Sequence, residues 1–474
     1  MLLPMAPTDS LFLLGESREH PMHVGGLAIF TPPDGATAAD MRTMLDTALT
    51  GGEIAPLLRQ RARRSLTTLG QWGWDTLSDD VIDLDHHIRR DALPTPGGMT
   101  ELTALVSRLH STPLDRSRPL WEMHLIEGLA DGRYAVYTKI HHALADGASA
   151  MRLLREGMSE DLHRRDMPAP WQVARTPTPP PSTEQATPIT DTAPTASTMS
   201  TMRGAARTAV AEVTGLIPAT VSTLNRAVRG TGGVIALTAP HTLFNVPIGA
   251  ARHTGARSFP LERIRLLAKH SDATINDIIL TLCSGTLRNY LHEHNALPAA
   301  PMIAMVPVSL RATDTTTGHT AAGNRVGVLM CNLGTHLPDP AARLETVRTS
   351  MREGKTSLHA MSPTQVLAMS ALAVAPLGAE MLLGRRGPQR PPFNIVISNI
   401  AGPPTPLYWN GFRLDALHPL SIPTTGQALN ITATSNDDHL VLGLTSCRRT
   451  VPDLNPLLDH LGTELDHLDT ALGL

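Results

Sequence analysis

Apolar positions along the chain alternate between two spacings, and the changes of spacing mark out the elements. Tyr134 to Ile140 (YAVYTKI) is rich in β-branched and aromatic residues with no Gly or Pro, which predicts a short strand. Within Ala148–Arg155, Met151, Leu153 and Leu154 then fall at helical spacing behind the turn and cap signal Asp146-Gly147. Glu101–His110 is amphipathic, with Leu102, Leu105 and Leu109 on one side. Pro7–Phe30 opens with a cap-like Thr-Asp-Ser before a short apolar run and continues into a strand, while Leu57–Leu66 (LLRQRARRSL) reads as a basic, helix-like run. In the second half, TLFNVP (Thr242–Pro247) reads as a strand, followed by a helix, a turn and a long helix that starts at Asn276-Asp277. Met302–Leu310, Asn394–Pro403, Ala428–Thr434 and Leu440–Ser446 read as strands, and Asp339–Lys355 and the stretch from Asp453 onward as helices.

The pattern fails in one place. From about Pro168 to Thr201 the chain turns to Pro, Thr, Ser and Ala (RTPTPPPSTEQATPITDTAPTASTMS), too poor in large apolar side chains to bury a core. This divides the chain into an N-terminal domain over 1–167, a Pro/Thr-rich linker with a crossover helix over 168–236 (the helix at Met202–Val228), and a C-terminal domain over 237–474. A length of 474 residues fits two or three domains.

Composition narrows the class. With 42% hydrophobic but only 3% aromatic residues, the cores must be built of Leu, Val, Ile, Ala and Met. A net charge of −3 lacks the basic footprint expected of a nucleic-acid binder. The three cysteines Cys283, Cys331 and Cys447 are odd in number and far apart, which fits reduced thiols in a cytosol and no zinc spacing. The first residues have no basic n-region of a secretory signal, and Val366–Gly384, the most apolar long segment, is broken by Pro376 and carries Glu380, so it reads as a core or interfacial helix.

Chemistry concentrates at the end of the Tyr134–Ile140 strand, where His141, His142, Asp146 and Gly147 form a His-His-x-x-x-Asp-Gly constellation on a strand-to-helix turn. Neighbours in extended backbone point to opposite faces, so one histidine is expected to face a site and the other to pack. Imidazole titrates near neutrality and accepts a proton from a hydroxyl, and no Ser, Cys or Lys nucleophile stands beside the pair. The simplest chemistry is direct attack of a substrate hydroxyl, deprotonated by histidine, on an activated acyl group. Asp146 is expected to fix the loop through a structural ion pair, with Arg311 as its candidate partner, and Gly147 to let the backbone pass close to a ligand. Three other features have plainer readings. His20 and His23 lack a third metal ligand, His86-His87 lacks the Asp-Gly turn and reads as strand-edge structure, and the arginines from Arg59 to Arg64 are a solvated face or an attraction to CoA phosphates or anionic lipid.

HHALADG resembles the HHxxxDG signature of the CoA-dependent acyltransferase superfamily, which includes chloramphenicol acetyltransferase and peptide-synthetase condensation domains. The run PLDRSRPLWEMHLIEGL, the Asn276-Asp277 pair and SNIAGP, together with the amino-terminal PTDSLFLLGESREHPMHVGGL, are similar to the bacterial wax ester synthase/diacylglycerol acyltransferase family, in its actinobacterial triacylglycerol synthase type. The resemblance covers nearly the whole chain outside the linker. It implies an α/β architecture of two chloramphenicol-acetyltransferase-like domains, with the active site at their interface and His142 at its centre. It also implies transfer of a long-chain acyl group from acyl-CoA, a substrate and not a cofactor, to the hydroxyl of diacylglycerol. Asn276 and Asp277 would bind substrate, Asn276 by donating to the acyl carbonyl or positioning the acceptor. No metal or resident cofactor is implied. Hydrophobic substrates imply a cytoplasmic protein in transient contact with a membrane or lipid droplet, supported by the basic residues near Arg59 and Arg385. The alternatives are a wax ester synthase using a long-chain alcohol, a catalytically silent lipid-binding or droplet-coating protein, and an acyltransferase taking carrier-protein substrates.

Overall fold

The computed structural model describes residues 2–49, 52–64, 70–172, 239–309, 326–362, 365–366, 369–370 and 391–474. The linker from 173, the expected helix Met202–Val228, Arg311, Arg385 and most of Val366–Gly384 lie outside the described residues. The first half runs β1 (Leu2–Pro4), α1 (Pro7–Gly15), β2 (His23–Thr31), α2 (Ala38–Leu49), β3 (Gln60–Arg64), β4 (Trp72–Thr76), α3 (Leu84–His87), β5 (Ile88–Ala92), α4 (Met99–His110), β6 (Trp121–Glu127), β7 (Tyr134–His141) and α5 (Gly147–Glu156). The second runs β8 (Arg252–Pro260), α6 (Leu261–His270), α7 (Ile275–Glu293), β9 (Ile303–Ser309), β10 (Val326–Asn332), α8 (Pro340–His359), β11 (Ile395–Ile400), β12 (Tyr408–Trp409), β13 (Phe412–Leu420), β14 (Leu429–Asn436), β15 (His439–Cys447) and α9 (Asn455–Leu472).

Two six-stranded sheets organise these elements, in the orders β12-β13-β2-β7-β6-β5 and β10-β9-β11-β14-β15-β8, with a small β1-β4-β3 sheet beside the first. Period-two alternation makes the first sheet two-faced. Val24, Ala28 and Phe30 of β2 share one core with Tyr134 and Ile140 of β7. Leu27 and Ile29 join Ala135 and Tyr137 on the other face, under Leu102, Leu105 and Val106 of α4. Trp121 is fully buried, its indole Nε1 donating to Leu58 O at 2.8 Å, so the Pro-Leu-Trp block packs the first sheet.

The second sheet is covered by α6, α7, α8 and α9. Helix α7 has Asp277 through Leu287 all buried, as befits a helix surrounded by other elements. Leu457, Leu461, Leu465 and Leu468 of α9 form the helical stripe that packs against it. An ion pair between Arg343 of α8 and Glu464 of α9 is enclosed in this layer, and Asn289 of α7 donates to the same carboxylate at 2.8 Å.

Several expectations need correction. The first sheet is not confined to residues 1–167, because β13, from beyond residue 400, pairs antiparallel with β2. The strand expected at Thr242–Pro247 lies at Arg252–Pro260, while Thr242–Asn245 is a turn closed by the Asn245 side chain, whose Oδ1 accepts from Thr242 N at 3.0 Å and from its hydroxyl at 2.6 Å. The basic run from Leu57, described as far as Arg64, is not an α-helix there. It is a 3-10 turn over Pro56–Arg59 followed by β3, in which Ala62 turns inward and Arg61 reaches Asp75 at 2.7 Å. His86 and His87 end a short helical turn rather than a strand edge, and His87 is buried on Trp121, its Nδ1 2.8 Å from Trp121 O. His23 is on β2 and packs, its Nε2 3.0 Å from His110 O. Among the described residues no His, Cys, Asp and Glu cluster could hold a metal ion, and the three cysteines are free and buried.

Candidate active site

Strand β7 delivers the histidines. It is held on both sides, by β2 with His23 opposite His141 and by β6 with Trp121 opposite Ile140. At its end the amides fan out, with His141 N donating to Leu120 O at 2.9 Å and His142 N to Met22 O at 2.8 Å. The chain then tightens, as Leu144 N and Ala145 N both donate to His141 O, at 2.8 and 3.1 Å. Asp146 takes the N-cap of α5, its Oδ1 accepting from Ser149 N at 2.8 Å, so its carboxylate satisfies a free amide of the first helical turn. This is the role the structure shows for Asp146; its expected partner Arg311 is outside the described residues.

The two histidines part company here. His141 is completely buried and its Nδ1 accepts from Ala143 N at 3.0 Å, which places the proton of the neutral ring on Nε2. That Nε2 faces Glu16 Oε1 at 3.4 Å, an electrostatic contact rather than a well-aligned hydrogen bond. His142 leaves the strand and stacks on Phe12 of α1, with ring centroids 4.1 Å apart and planes at 20°. Its Nδ1 has no hydrogen-bond partner among the described residues. An edge of the residue still meets solvent. Burial pushes the His142 pKa down to about 4, against a smaller upward pull from Asp146. The ring is therefore neutral across the physiological range.

Glu16 was not singled out by the sequence, yet it joins the parts of this turn. Its Oε1 also accepts from Met22 N at 3.2 Å, and Met22 O holds the His142 amide, while its Oε2 accepts from Arg116 Nε at 2.7 Å. Burial acts to raise the Glu16 pKa, and His141, the Met22 amide and Arg116 together outweigh it and hold the carboxyl below its usual value. Phe12 was missed as well. The only signal for either was the apolar run SLFLLG closing on Glu16.

The second sheet reaches the turn through β11. Gly147 starts α5 against Ile400 at the end of β11, and a Cβ on Gly147 would run into the Ile400 Cδ1. Its lack of a side chain thus lets α5 and β11 pack closely here. Next to Ile400, Asn399 Nδ2 lies 3.5 Å from Asn276 Oδ1 on α7. The structure so brings Asn276 to the same end of β11 as the histidine turn. The cap of α7 is Thr274, which forms a capping box with Asp277, and Asp277 is buried with its Oδ1 unpartnered among the described residues. Asn276 takes no part in the cap, which leaves its side chain free for other contacts.

Residues 5–279 match the model of the wax ester synthase/diacylglycerol acyltransferase catalytic domain, and residues 322–469 match that family's C-terminal domain. The chain belongs to the wax ester synthase/diacylglycerol acyltransferase (WS/DGAT) family. Among its WS/DGAT relatives, a Mycobacterium tuberculosis protein provisionally named a diacylglycerol O-acyltransferase is 48% identical over 99% of this chain and 91% of its own length. A second from the same organism, also provisionally named a diacylglycerol O-acyltransferase, is 44% identical over 99% of both chains. The WS/DGAT enzyme of Marinobacter aquaeolei VT8 superposes with a TM-score of 0.77 at 36% identity over the full length of both chains. The first condensation domain of the calcium-dependent antibiotic synthetase shares the fold alone, with a TM-score of 0.59 at 17% identity over 100% of this chain and 97% of its own. The chain is an α/β acyltransferase of two chloramphenicol-acetyltransferase-like domains, and both domains meet at the HHxxxDG turn.

Proposed function

We propose that this acyltransferase moves a long-chain acyl group from acyl-CoA to the free hydroxyl of diacylglycerol, forming triacylglycerol, with His142 as general base. The observation that carries the reading is the contrast within the histidine pair. His141 is fully buried, with Ala143 N on its Nδ1 and Glu16 3.4 Å from its Nε2, whereas His142 is neutral, keeps an edge on solvent and sits in the turn at which the two domains meet. His142 accepts the hydroxyl proton as the oxygen attacks the thioester carbonyl carbon. The tetrahedral intermediate collapses with cleavage of the C–S bond, and the protonated ring returns its proton to the departing thiolate, so the products are an ester and CoA thiol. His141 positions the turn, Asp146 fixes its exit, and Asn276 is placed to donate to the acyl carbonyl or to orient the acceptor.

Diacylglycerol is favoured over a fatty alcohol because the mycobacterial relatives carry that name. Acyl-CoA is the donor, and no resident cofactor enters the scheme. An acceptor of this kind is met at a membrane or droplet surface, and among the described residues no helix is long and apolar enough to cross a membrane. The test is to incubate the purified protein with palmitoyl-CoA and either dipalmitoylglycerol or hexadecanol and to resolve the lipid products. Triacylglycerol is expected; wax ester alone would reassign the acceptor, and no product from either would point to a silent lipid binder.

A further inference from the structure

The inner side of α1 covers the candidate base, and its outer side is unusually apolar. Phe12 stacks on His142 and Leu13 is buried, whereas Leu11 and Leu14 are 62% and 47% exposed. These two leucines are three apart and so share one face of the helix. Leu3, on the strand leading into α1, is a further 44% exposed. Exposed leucines scattered singly are ordinary; Leu11 and Leu14 share one face of the helix that covers His142, and Leu3 lies on the strand just before it.

Positive charge borders it. Arg18 and Arg64 are exposed and have no acidic partner among the described residues. Arg116 ties Arg64 to the helix: it donates to Leu13 O at the end of α1 and lies over the Trp72 ring at 5.8 Å, the ring that Arg64 also covers at 4.6 Å, while Arg18 follows α1 by three residues in the chain. Glu19, exposed beside Arg18, accepts from the Ser17 hydroxyl at 3.3 Å and keeps its charge, which leaves Arg18 and Arg64 one positive charge in excess of it. On a chain of net charge −3 this is a local basic rim around an apolar face.

We propose that the outer face of α1, with Leu3, Leu11 and Leu14 and the rim of Arg18 and Arg64, is the surface by which the protein sits on a lipid bilayer bearing anionic headgroups. Leucines enter the headgroup and acyl boundary and arginines meet the phosphates, the arrangement of an interfacial helix. The helix is one side chain deep over His142, so docking here presents the acceptor hydroxyl next to the base. In naming where the lipid acceptor arrives, the inference rests on the proposed function.

The experiment uses the full chain and measures co-sedimentation with phosphatidylcholine vesicles, with and without phosphatidylglycerol. Wild type should bind the vesicles containing phosphatidylglycerol more tightly. Leu11→Ser/Leu14→Ser should weaken that binding on the order of tenfold or more. Arg18→Ala/Arg64→Ala should remove most of the preference for anionic vesicles. CoA release from butyryl-CoA with hexanol, both dissolved in water, should be the same in the leucine variant as in wild type, while transfer to vesicle-embedded diacylglycerol falls with binding. Wild-type protein that ignores vesicles, or a leucine variant that binds as well as wild type, overturns the proposal. So does a leucine variant whose only change is dissociation of a dimer. If vesicle binding follows the leucines but diacylglycerol is never acylated, the surface stands and the acceptor assignment fails.

Discussion

Glu16 Oε1 stands 3.4 Å from His141 Nε2, across a gap of 125 residues in sequence, and the same carboxylate holds the Met22 backbone that supports His142. Two histidines at a strand end are thereby fixed by one buried acid. Glu16→Gln keeps the shape and removes the charge. It should leave KM for acyl-CoA near wild type and lower kcat by roughly tenfold to a hundredfold, the cost of slight misplacement of a catalytic group. Steady-state kinetics on the folded variant check this; an unchanged kcat would show that Glu16 is structural only.

The activity profile with pH follows from the burial of His142. With its pKa pushed down to about 4, kcat/KM should be flat from pH 8 to about 6 and fall only as the ring protonates further down. An acid limb centred near the ordinary histidine value of 6.5 would argue against His142 as the titrating base.

Stability should show the same sign over a wider set. Burial holds His110 down at about 3 and His23 well below 6.5. Such groups are neutral in the folded protein and protonate more readily once unfolded, so the unfolded state binds more protons between the two values. Stability should therefore be complete above about pH 6.5 and decline as pH falls toward 3. Thermal melts over that range read it directly.

Gly147 provides a steric test of domain packing. Gly147→Ala should cost about 1–3 kcal/mol and reduce activity, because the new methyl meets Ile400. Ile400→Val in the same chain should recover part of both losses. Recovery identifies a packing contact; its absence would return Gly147 to a role in ligand approach.

In the second domain, Glu464→Ala would strand Arg343, which is buried beside it, and should cost about 3–5 kcal/mol in urea unfolding. Replacing both residues with methionine should cost far less, since neither charge is then left alone.

How much of this was legible in the sequence depends on the range of the forces involved. The histidine turn was, because strand, turn and helix signals lie within two dozen adjacent residues, and Asp146 caps where the pattern put a cap. Glu16 and Phe12 were not, since their partners His141 and His142 are more than a hundred residues away and no local pattern encodes the meeting. Strand β13 was hidden likewise: its alternation says that it is a strand, not that its partner is β2 in the other half. The basic run at Arg59–Arg64 misled because charge spacing looked helical while the deciding contacts, Asp75 and the β4 ladder, lay further on. At Asn276-Asp277 the pair was found but the cap was Thr274, two residues earlier.

The most direct test of the central claim is the rate of triacylglycerol formation from palmitoyl-CoA and dipalmitoylglycerol by His142→Ala, on protein shown by its circular dichroism and melting to be folded. Loss of the base should cut the rate by roughly 100- to 10,000-fold. A folded His142→Ala protein turning over near the wild-type rate would contradict the account.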